Sequence, residues 1–365
     1  MKLIDKYVVQ EFMPVFVMAL GGFFSLFAII DLFSHLDEIL RNQVPFAILL
    51  DYYGSMAPYV FVQITPIALL LASLYVLGNF NRHKELLAAT ACGISVRRMI
   101  LPIFFISLLM SLSIFLVDNT YAVKRLGRAT MIEDNQIKAE EDRVEQKLLE
   151  NITFYGSENR LFYIGLFDVE HNLMTDITIL EHDKNNTVTS KIFASTASWA
   201  QKKWRFYHGM IMSLDKNGQL KGNPFVFDET IIPIRETPNE LITGISQIEF
   251  MNFRELKAYI AKLGGKNNGT TRRLLVELYY KTAFPLSCIA ILFVGIPLGV
   301  RTERGGNVMG FGKSIIIGLS YYGMLAVTTG LGKGGLLPPL ASAWSTNISF
   351  MVFGAFLLKR AANPH

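Results

Sequence analysis

Six apolar stretches stand in two groups of three, and a polar insert of about 150 residues separates the two groups. An α-helix of about 20 residues crosses the roughly 30 Å hydrocarbon core of a bilayer, and each stretch has about that length. The sequence therefore predicts an α-helical membrane protein with six transmembrane helices in a three-plus-three arrangement. The predicted spans are 12–33, 57–78, 99–119, 277–300, 308–330 and 338–358.

The distribution of basic residues around the short loops predicts the orientation of these spans. Short loops rich in lysine and arginine favour the cytoplasmic side of a membrane. The short loops of one face contain only Arg41 and Lys333. Both termini are therefore expected in the cytoplasm, and the large insert is expected on the other side. The basic residues of the predicted cytoplasmic side are Lys2, Lys6, Arg82, Lys84, Arg97, Arg98, Arg301, Arg304, Lys313, Lys359 and Arg360.

The net charge of +5 at first suggests a nucleic-acid partner. Much of the excess Lys and Arg lies beside the apolar spans, however, and no basic stripe interleaved with aromatic residues is present. Both cysteines, Cys92 and Cys288, fall at or in predicted spans without a plausible partner. The composition thus argues against a nucleic-acid-binding protein and against a disulfide-stabilised fold.

The insert changes from a helical pattern to period-two alternation. Residues 121–150 look like a polar helical continuation of the third span, and short alternating segments follow. Many short strands without helical crossovers indicate an antiparallel sandwich or a partly open barrel. Such a domain is either a rigid spacer or a container for an apolar ligand. The predicted strands are 160–168, 176–181, 188–194, 203–207, 210–214 and 224–232.

These patterns divide the chain into three segments. Residues 1–120 carry the first three spans, 121–273 form the inserted β domain, and 274–365 carry the last three spans. In this division the polar insert connects the two membrane halves through a return linker over 266–271.

Residues 306–314 resemble a phosphate-binding P-loop without matching it. That motif requires a glycine, four further residues and then Gly-Lys-Ser/Thr. Gly312-Lys313-Ser314 supplies the end, but Asn307 occupies the position of the first glycine and Gly306 comes one residue too early. The chain also lacks the common hydrolase and zinc-protease motifs. The sequence therefore predicts a non-enzyme without catalytic residues, metal or cofactor.

The loop between the second and third spans, about 81–93, predicts a short helix with Asn81 as its N-cap and Gly93 as its stop. Glu85 is the only acidic residue there and lies among several arginines and lysines. One interpretation is an ordinary surface helix with a local Glu–Lys pair. The other is a docking helix that presents Glu85 to a basic pocket of a cytoplasmic partner.

Two basic clusters lie where the long insert meets the membrane. Lys124, Arg125 and Arg128 follow the third span, and Arg272, Arg273 and Lys281 begin the fourth. Charges beside long translocated domains are largely exempt from the positive-inside rule and can therefore be without meaning. Two clusters at one membrane depth can also bind an anionic lipid headgroup.

Several segments taken in order resemble the LptF/LptG family of lipopolysaccharide-export permeases, and the resemblance covers essentially the whole chain. It rests on the three-plus-three arrangement and on five sequence segments. These are Lys-Glu-Leu-Leu-Ala-Ala-Thr-Ala-Cys-Gly-Ile-Ser (84–95), Lys-Thr-Ala-Phe-Pro-Leu-Ser (281–287), Gly-Ile-Pro-Leu-Gly (295–299), Arg-Gly-Gly (304–306) and Gly-Lys-Gly-Gly-Leu-Leu-Pro-Pro (332–339).

The resemblance implies a permease subunit of an ABC transporter in the bacterial inner membrane. Such a subunit pairs with a second LptF/LptG-type permease and a dimeric cytoplasmic ATPase. The pair extracts lipopolysaccharide or a related glycolipid, and a periplasmic β-jellyroll-like domain passes it to a bridge of related domains. Glu85 would contact the ATPase, together with Arg82, Leu86 and Gly93 in the same segment.

The resemblance also implies lateral gates in the first and fifth spans. The side chains assigned to these gates are Phe23, Phe24, Phe27, Ile30, Ile317 and Tyr321. Some family members carry lysines at the outer end of the first span that meet the glycolipid phosphates. Here residues 31–41 contain only Arg41 as a basic residue, so the phosphates are also expected at Arg125, Arg128, Arg272 or Arg273, or on the partner permease.

A membrane sensor or scaffold with an extracytoplasmic β domain is the alternative to a transporter. A sensor is expected to carry a cytoplasmic output domain, whereas the predicted cytoplasmic parts are short loops and tails. The sequence therefore favours the transporter subunit.

Overall fold

The computed structural model describes residues 3–137, 148–156, 160–169, 171–183, 187–201, 203–215, 219–234, 236–238, 251–262, 269–300 and 306–362. Within these ranges, six helices are long and apolar enough to cross a membrane. Along the chain they fall into two groups of three with an antiparallel sheet inserted between them, which confirms the predicted helical membrane protein with an inserted β domain. The six are Leu3–Ser34, Phe46–Arg82, Val96–Ile132, Thr271–Val300, Phe311–Gly334 and Pro339–Lys359.

The helices before the sheet are α1 (Leu3–Ser34), α2 (Leu36–Arg41), α3 (Phe46–Arg82), α4 (Glu85–Ala91), α5 (Val96–Val117) and α6 (Val123–Ile132). A π-helical turn, Asp118–Ala122, joins α5 to α6, and a second, Glu133–Ile137, follows α6. The predicted helical continuation over 121–150 is therefore correct as far as Ile137, whereas Leu148 already begins a strand.

After the sheet come α7 (Phe253–Lys262), α8 (Gly269–Ala283), α9 (Ser287–Val300), α10 (Gly306–Gly334) and α11 (Pro339–Ala362). A single 3₁₀ turn, Phe284–Leu286, links α8 to α9 around Pro285. The proline lacks the N–H that a continuous α-helix would use, so the helix tightens locally instead of running straight.

Glycines allow α9 to pack tightly between α3 and α11. A Cβ at Gly295 would collide with Leu70 of α3, and one at Gly299 would lie 3.1 Å from the Leu77 Cβ. A Cβ at Gly354 of α11 would collide with the backbone of Phe293. Small residues spaced by four let membrane helices approach closely, and the resulting van der Waals contact stabilises them in lipid. These contacts make α9 the best-packed helix of the group.

The strands are β1 (Leu148–Tyr155), β2 (Arg160–Asp168), β3 (Leu173–His182), β4 (Val188–Ala200), β5 (Lys203–Ser213) and β6 (Phe225–Ile231). Each described strand pairs antiparallel with its neighbour in the chain, in the order β1 to β6. Among these strands the sheet is an up-and-down meander, without the crossed connections that complete a jelly roll. The predicted segments 203–207 and 210–214 form one strand, β5.

One line of residues interrupts the pairing across neighbouring strands. Ile164 pairs with Ile177 and Leu166 with Thr175, but no pair is formed by Gly165 and Asp176 between them. The same line continues at Ser195 of β4 and His208 of β5, which are also missing from the paired residues. On crossing the line, burial shifts by one residue, so that the other set of alternating side chains is buried. Asp176 and His208 both have positive φ, 54° and 48°. Strict period-two alternation therefore holds only on each side of this line.

The chain divides into two compact units, 1–36 with 46–129 and 272–365, and 37–45 with 130–271. The second unit contains α2 and the sheet. The side-chain amide of Asn42, just after α2, donates to the carbonyl of Ile137 at 2.7 Å. In the sheet, Trp204 is fully buried and its indole N–H donates to the carbonyl of Glu236 at 2.8 Å.

Candidate functional site

The segment that contains α4 connects α3 to α5 and holds the residues assigned to ATPase coupling. α4 begins at Glu85, and Lys84 at its N-cap has a left-handed φ of 59°. The prediction that Asn81 caps this helix is wrong, because Asn81 belongs to α3 and its amide donates to the carbonyl of Val300 at 3.0 Å. Gly93 follows the helix with φ 79°, which glycine adopts at low cost.

Glu85 is bound to the first helix. Its Oε2 accepts a 2.9 Å hydrogen bond from the hydroxyl of Tyr7, and the Tyr7 ring stacks on Phe80 with centroids 5.6 Å apart. Leu86 is buried in the helical core, whereas Arg82 is exposed. The four assigned residues thus have different environments. Arg82 is exposed, Gly93 lies at the turn after α4, Leu86 is part of the core, and Glu85 joins α4 to α1.

The exposed side of α4 consists of small and apolar side chains. Leu87 is 66% exposed, and Ala88 and Ala91 are exposed beside it. Small side chains let another protein approach the helix backbone closely, and an exposed leucine supplies apolar area to bury. This face has the composition of a docking surface.

A second contact ties α1 to the beginning of α5. Arg98 Nη2 lies 2.7 Å from Asp5 Oδ2, and the Asp5 side chain is mostly buried. Neither Asp5 nor Tyr7 was identified from the sequence, because both lie before the predicted first span and match no motif.

The gate residues of α1 lie on a loosely packed part of that helix. The buried residues of α1 are Val8, Phe12, Phe16 and Ala19, and none follows Ala19 in the helix. The predicted gate residues Phe23, Phe24 and Phe27 are half-buried, and Ile30 is 58% exposed. The second half of α1 therefore presents apolar side chains outward.

The gate residues of α10 are differently placed. Ile317 and Tyr321 are buried in the helical core, and the Tyr321 hydroxyl donates to Asn347 Oδ1 at 2.7 Å. The outward face of α10 carries Ile316 and Leu319 instead. On this helix the side chains that lipid can reach are therefore not the predicted ones but their neighbours in the sequence. Successive residues point about 100° apart around the helix axis, so these neighbours lie on a different face.

The basic residues next to the third span are exposed on α6. Arg128 forms a 2.7 Å ion pair with Asp51 of α3, in which both side chains remain substantially exposed. Arg125 and Lys124 are exposed on the same helix. Arg41, the last residue of α2, is also exposed. Arg125 and Arg41 are thus exposed, and Arg128 is exposed as well but paired with Asp51.

The basic residues at the start of the fourth span are held differently from one another. The guanidinium of Arg272 packs against Gly335, where any Cβ would collide with it. Arg273 is exposed. Lys281 lies 3.7 Å from Asp118 Oδ2 in a mostly buried pair. The structure therefore leaves Arg273 the most accessible of the three.

Cavities lie beside these helices in the part of the chain that the structure describes. A groove of about 470 Å³ lies between α1 and α5 and is lined mainly by apolar residues, among them Leu101 and Phe105. A cleft of about 260 Å³ between α8 and α10 has the ion pair between Glu277 and Lys333 in its lining. The cleft falls below the usual 300–1,000 Å³ of ligand pockets, so it does not hold a whole glycolipid.

The sequence 306–314 is part of a helix. α10 begins at Gly306, and the stretch was predicted to open a span. The hydroxyl of the buried Ser314 donates to the carbonyl of Phe311 at 2.7 Å. A P-loop serine instead binds the magnesium of a nucleotide. This stretch is therefore the beginning of the fifth membrane helix.

Comparison with known proteins agrees with the architecture. A family model described as lipopolysaccharide export system permease LptF/LptG matches residues 6–360. An uncharacterized protein of Aquifex aeolicus (strain VF5) is 25% identical over 301 residues, which cover 79% of each chain. Because the family model spans both membrane halves and the β domain between them, this multi-pass inner-membrane protein belongs to the LptF/LptG family of lipopolysaccharide export permeases.

Proposed function

We propose that this chain is one of two permease subunits that extract lipopolysaccharide, or a related glycolipid, from the inner membrane and pass it to a periplasmic bridge. The observation that carries the proposal is the family match over residues 6–360, which includes both groups of spans and the sheet. Both termini and α4 face the cytoplasm, and the β domain faces the periplasm. The basic residues of the short loops support this orientation.

Energy comes from a separate dimeric ATPase that docks on α4. The exposed Leu87, Ala88 and Ala91 provide an apolar surface of small side chains, and Glu85 offers a carboxylate to a basic group of the ATPase. The Tyr7 hydroxyl occupies one carboxylate oxygen, and a carboxylate accepts hydrogen bonds at both oxygens.

The glycolipid enters beside the outer half of α1 and the outward face of α10. Phe23, Phe27 and Ile30 on α1 and Leu319 on α10 offer apolar surface to acyl chains. A second permease of the same family completes this gate, since Ile30 and Leu319 remain exposed in the described part of this chain. Arg125 and Arg273 are exposed cations for the glycolipid phosphates, with Arg128 and Arg272 in support. Arg41, which belongs to the other compact unit, is proposed separately as a phosphate contact.

The test is charge reversal at the docking surface. Glu85→Arg should abolish co-purification of the ATPase and glycolipid export while the protein still inserts in the membrane. Glu85→Gln, which keeps an acceptor for Tyr7, should be less severe. Asp215→Arg applies the same charge reversal at an exposed site of the β domain and should leave both measurements unchanged. Normal co-purification and export with Glu85→Arg would refute the assignment.

The role of the β domain is tested separately. A photoreactive residue at Ile177, in the buried core of the sheet, should give glycolipid adducts that require ATP. The same residue at exposed Asp215 is the control and should give none. Absence of ATP-dependent adducts at Ile177 would favour a spacer or scaffold over a domain that receives the glycolipid.

A further inference from the structure

The first half of α1 is clamped to the α4 segment at two points. The Tyr7 hydroxyl donates to Glu85 at the first residue of α4, and Asp5 pairs with Arg98 near the beginning of α5. Asp5 and Tyr7 are only two residues apart on α1, whereas Glu85 and Arg98 stand on either side of the α4 segment. One short stretch of α1 thus bridges both ends of the proposed docking segment.

The remainder of α1 is buried less deeply, and two longer hydrogen bonds tie it to α3, from the Tyr53 hydroxyl to the Ala28 carbonyl at 3.4 Å and from the Tyr52 hydroxyl to Asp31 Oδ1 at 3.5 Å. No residue of α1 beyond Ala19 is fully buried. The proposed gate residues Phe23 and Phe27 belong to this second half. A helix held by short contacts near one end and by longer, weaker ones near the other moves at the looser end when the firmly held end is displaced. The clamp therefore connects the docking segment mechanically to the gate half of α1.

We propose that Tyr7 and Asp5 are positioning residues that transmit movement of α4 to the gate half of α1. The inference rests on the proposed ATPase docking at α4 and names the residues that carry its movement. Tyr7 bonds the same carboxylate that a cation of the ATPase would engage, so displacement of that carboxylate acts on α1 directly. The Asp5–Arg98 pair keeps α1 aligned with α5 while this happens.

The alternative is that both contacts only stabilise the fold. A stabilising role would lower complex assembly, ATP hydrolysis and export together. A transmitting role would lower the amount of glycolipid transferred per ATP hydrolysed and leave assembly intact. The ratio of transfer to hydrolysis separates the two because hydrolysis takes place on another subunit.

The experiment uses the complete complex in vesicles that contain lipopolysaccharide. Tyr7→Phe keeps the ring that stacks on Phe80 and removes only the hydroxyl, and Asp5→Asn removes the charge. We expect the double variant to retain the ATPase and to hydrolyse ATP. The amount of glycolipid transferred per ATP should fall about fivefold or more, which is the size of effect expected when a modest coupling between two sites is lost. Each single variant should give a smaller fall in the same ratio.

Two controls complete the design. Glu11→Gln removes a charge from an exposed position on α1 and should leave the ratio unchanged, and Asp5→Glu should restore most of the coupling. An unchanged ratio in the double variant, or a parallel loss of assembly, hydrolysis and transfer, would overturn the inference. Retention of the ATPase by Glu85→Arg would instead overturn the proposed docking, so the two failures are distinguishable.

Discussion

The Tyr321 hydroxyl donates a 2.7 Å hydrogen bond to Asn347 Oδ1, and the Asn347 amide donates onward to the carbonyl of Ala283 at 2.7 Å. Tyr321 and Asn347 are fully buried, on α10 and α11, and Ala283 ends α8. An unpaired polar group is costly away from water, so this chain of bonds fixes the rotation of α10 about its axis.

Tyr321→Phe should lower the free energy of unfolding by about 1 kcal/mol, the usual size of a side-chain hydrogen bond between membrane helices. The measurement is the thermal midpoint of the detergent-purified protein. Tyr121→Phe removes a hydroxyl from a 64% exposed side chain and should not change the midpoint. Equal midpoints for the two variants would contradict the importance assigned to the Tyr321–Asn347 bond.

Three glycine-to-alanine substitutions should destabilise the protein to different degrees. Gly354→Ala directs a Cβ into the backbone of Phe293, which cannot move without shifting α9, and should be the most destabilising. Gly295→Ala meets the flexible end of Leu70 and should cost less, by comparison with the roughly 1–3 kcal/mol of ordinary overpacking. Gly323→Ala meets nothing within 4 Å and should be neutral or stabilising. Thermal midpoints in detergent would rank the three, and a different order would disprove the packing argument.

The two native cysteines test the orientation. Cys92 is exposed and Cys288 is buried. If α4 faces the cytoplasm, a membrane-impermeant maleimide should label the protein in inside-out vesicles and not in intact spheroplasts. Asp215→Cys in a Cys92→Ser background should show the opposite pattern, because it places the thiol in the β domain. Labelling of Cys92 from outside would invert the proposed topology.

Of the two arginines that begin the fourth span, the exposed Arg273 should contact the glycolipid phosphates. Arg273→Gln should weaken binding of lipopolysaccharide more than binding of its dephosphorylated form, since a charge-assisted bond to the phosphate is lost. Binding is measured on the purified complex. Lys281→Gln, which breaks a pair with Asp118, is the matched control and should affect both ligands alike. Equal weakening of both ligands by Arg273→Gln would exclude a phosphate contact.

The membrane helices were predictable because about 20 consecutive apolar residues admit few other structures. Strand β2 was predicted with its observed bounds, Arg160–Asp168, because its side-chain pattern is typical of a half-buried strand. The beginning of β1 was missed: Leu148 and Leu149 were assigned to a helix, since two adjacent apolar residues suit either structure.

Side-chain direction was less predictable than element type. Ile317 and Tyr321 were chosen as gate residues from apolar character alone, yet both face the core. A uniformly apolar helix carries no polar face to show which side meets lipid and which meets protein. Asn81 was chosen as a cap by residue type, whereas its amide reaches the carbonyl of Val300, 219 residues away in the chain.

The sequence by itself determined the three-plus-three spans, the β character of the insert and the family, because hydropathy, alternation and ordered motifs are properties of local segments. Only the tertiary structure decided that Tyr7 binds Glu85, that Asp5 pairs with Arg98, and that the sheet is interrupted at Gly165 and Asp176. Such contacts join residues far apart in the chain, or depend on backbone angles that several neighbouring strands set together. The packing of one element on another therefore decides them, and local residue patterns do not.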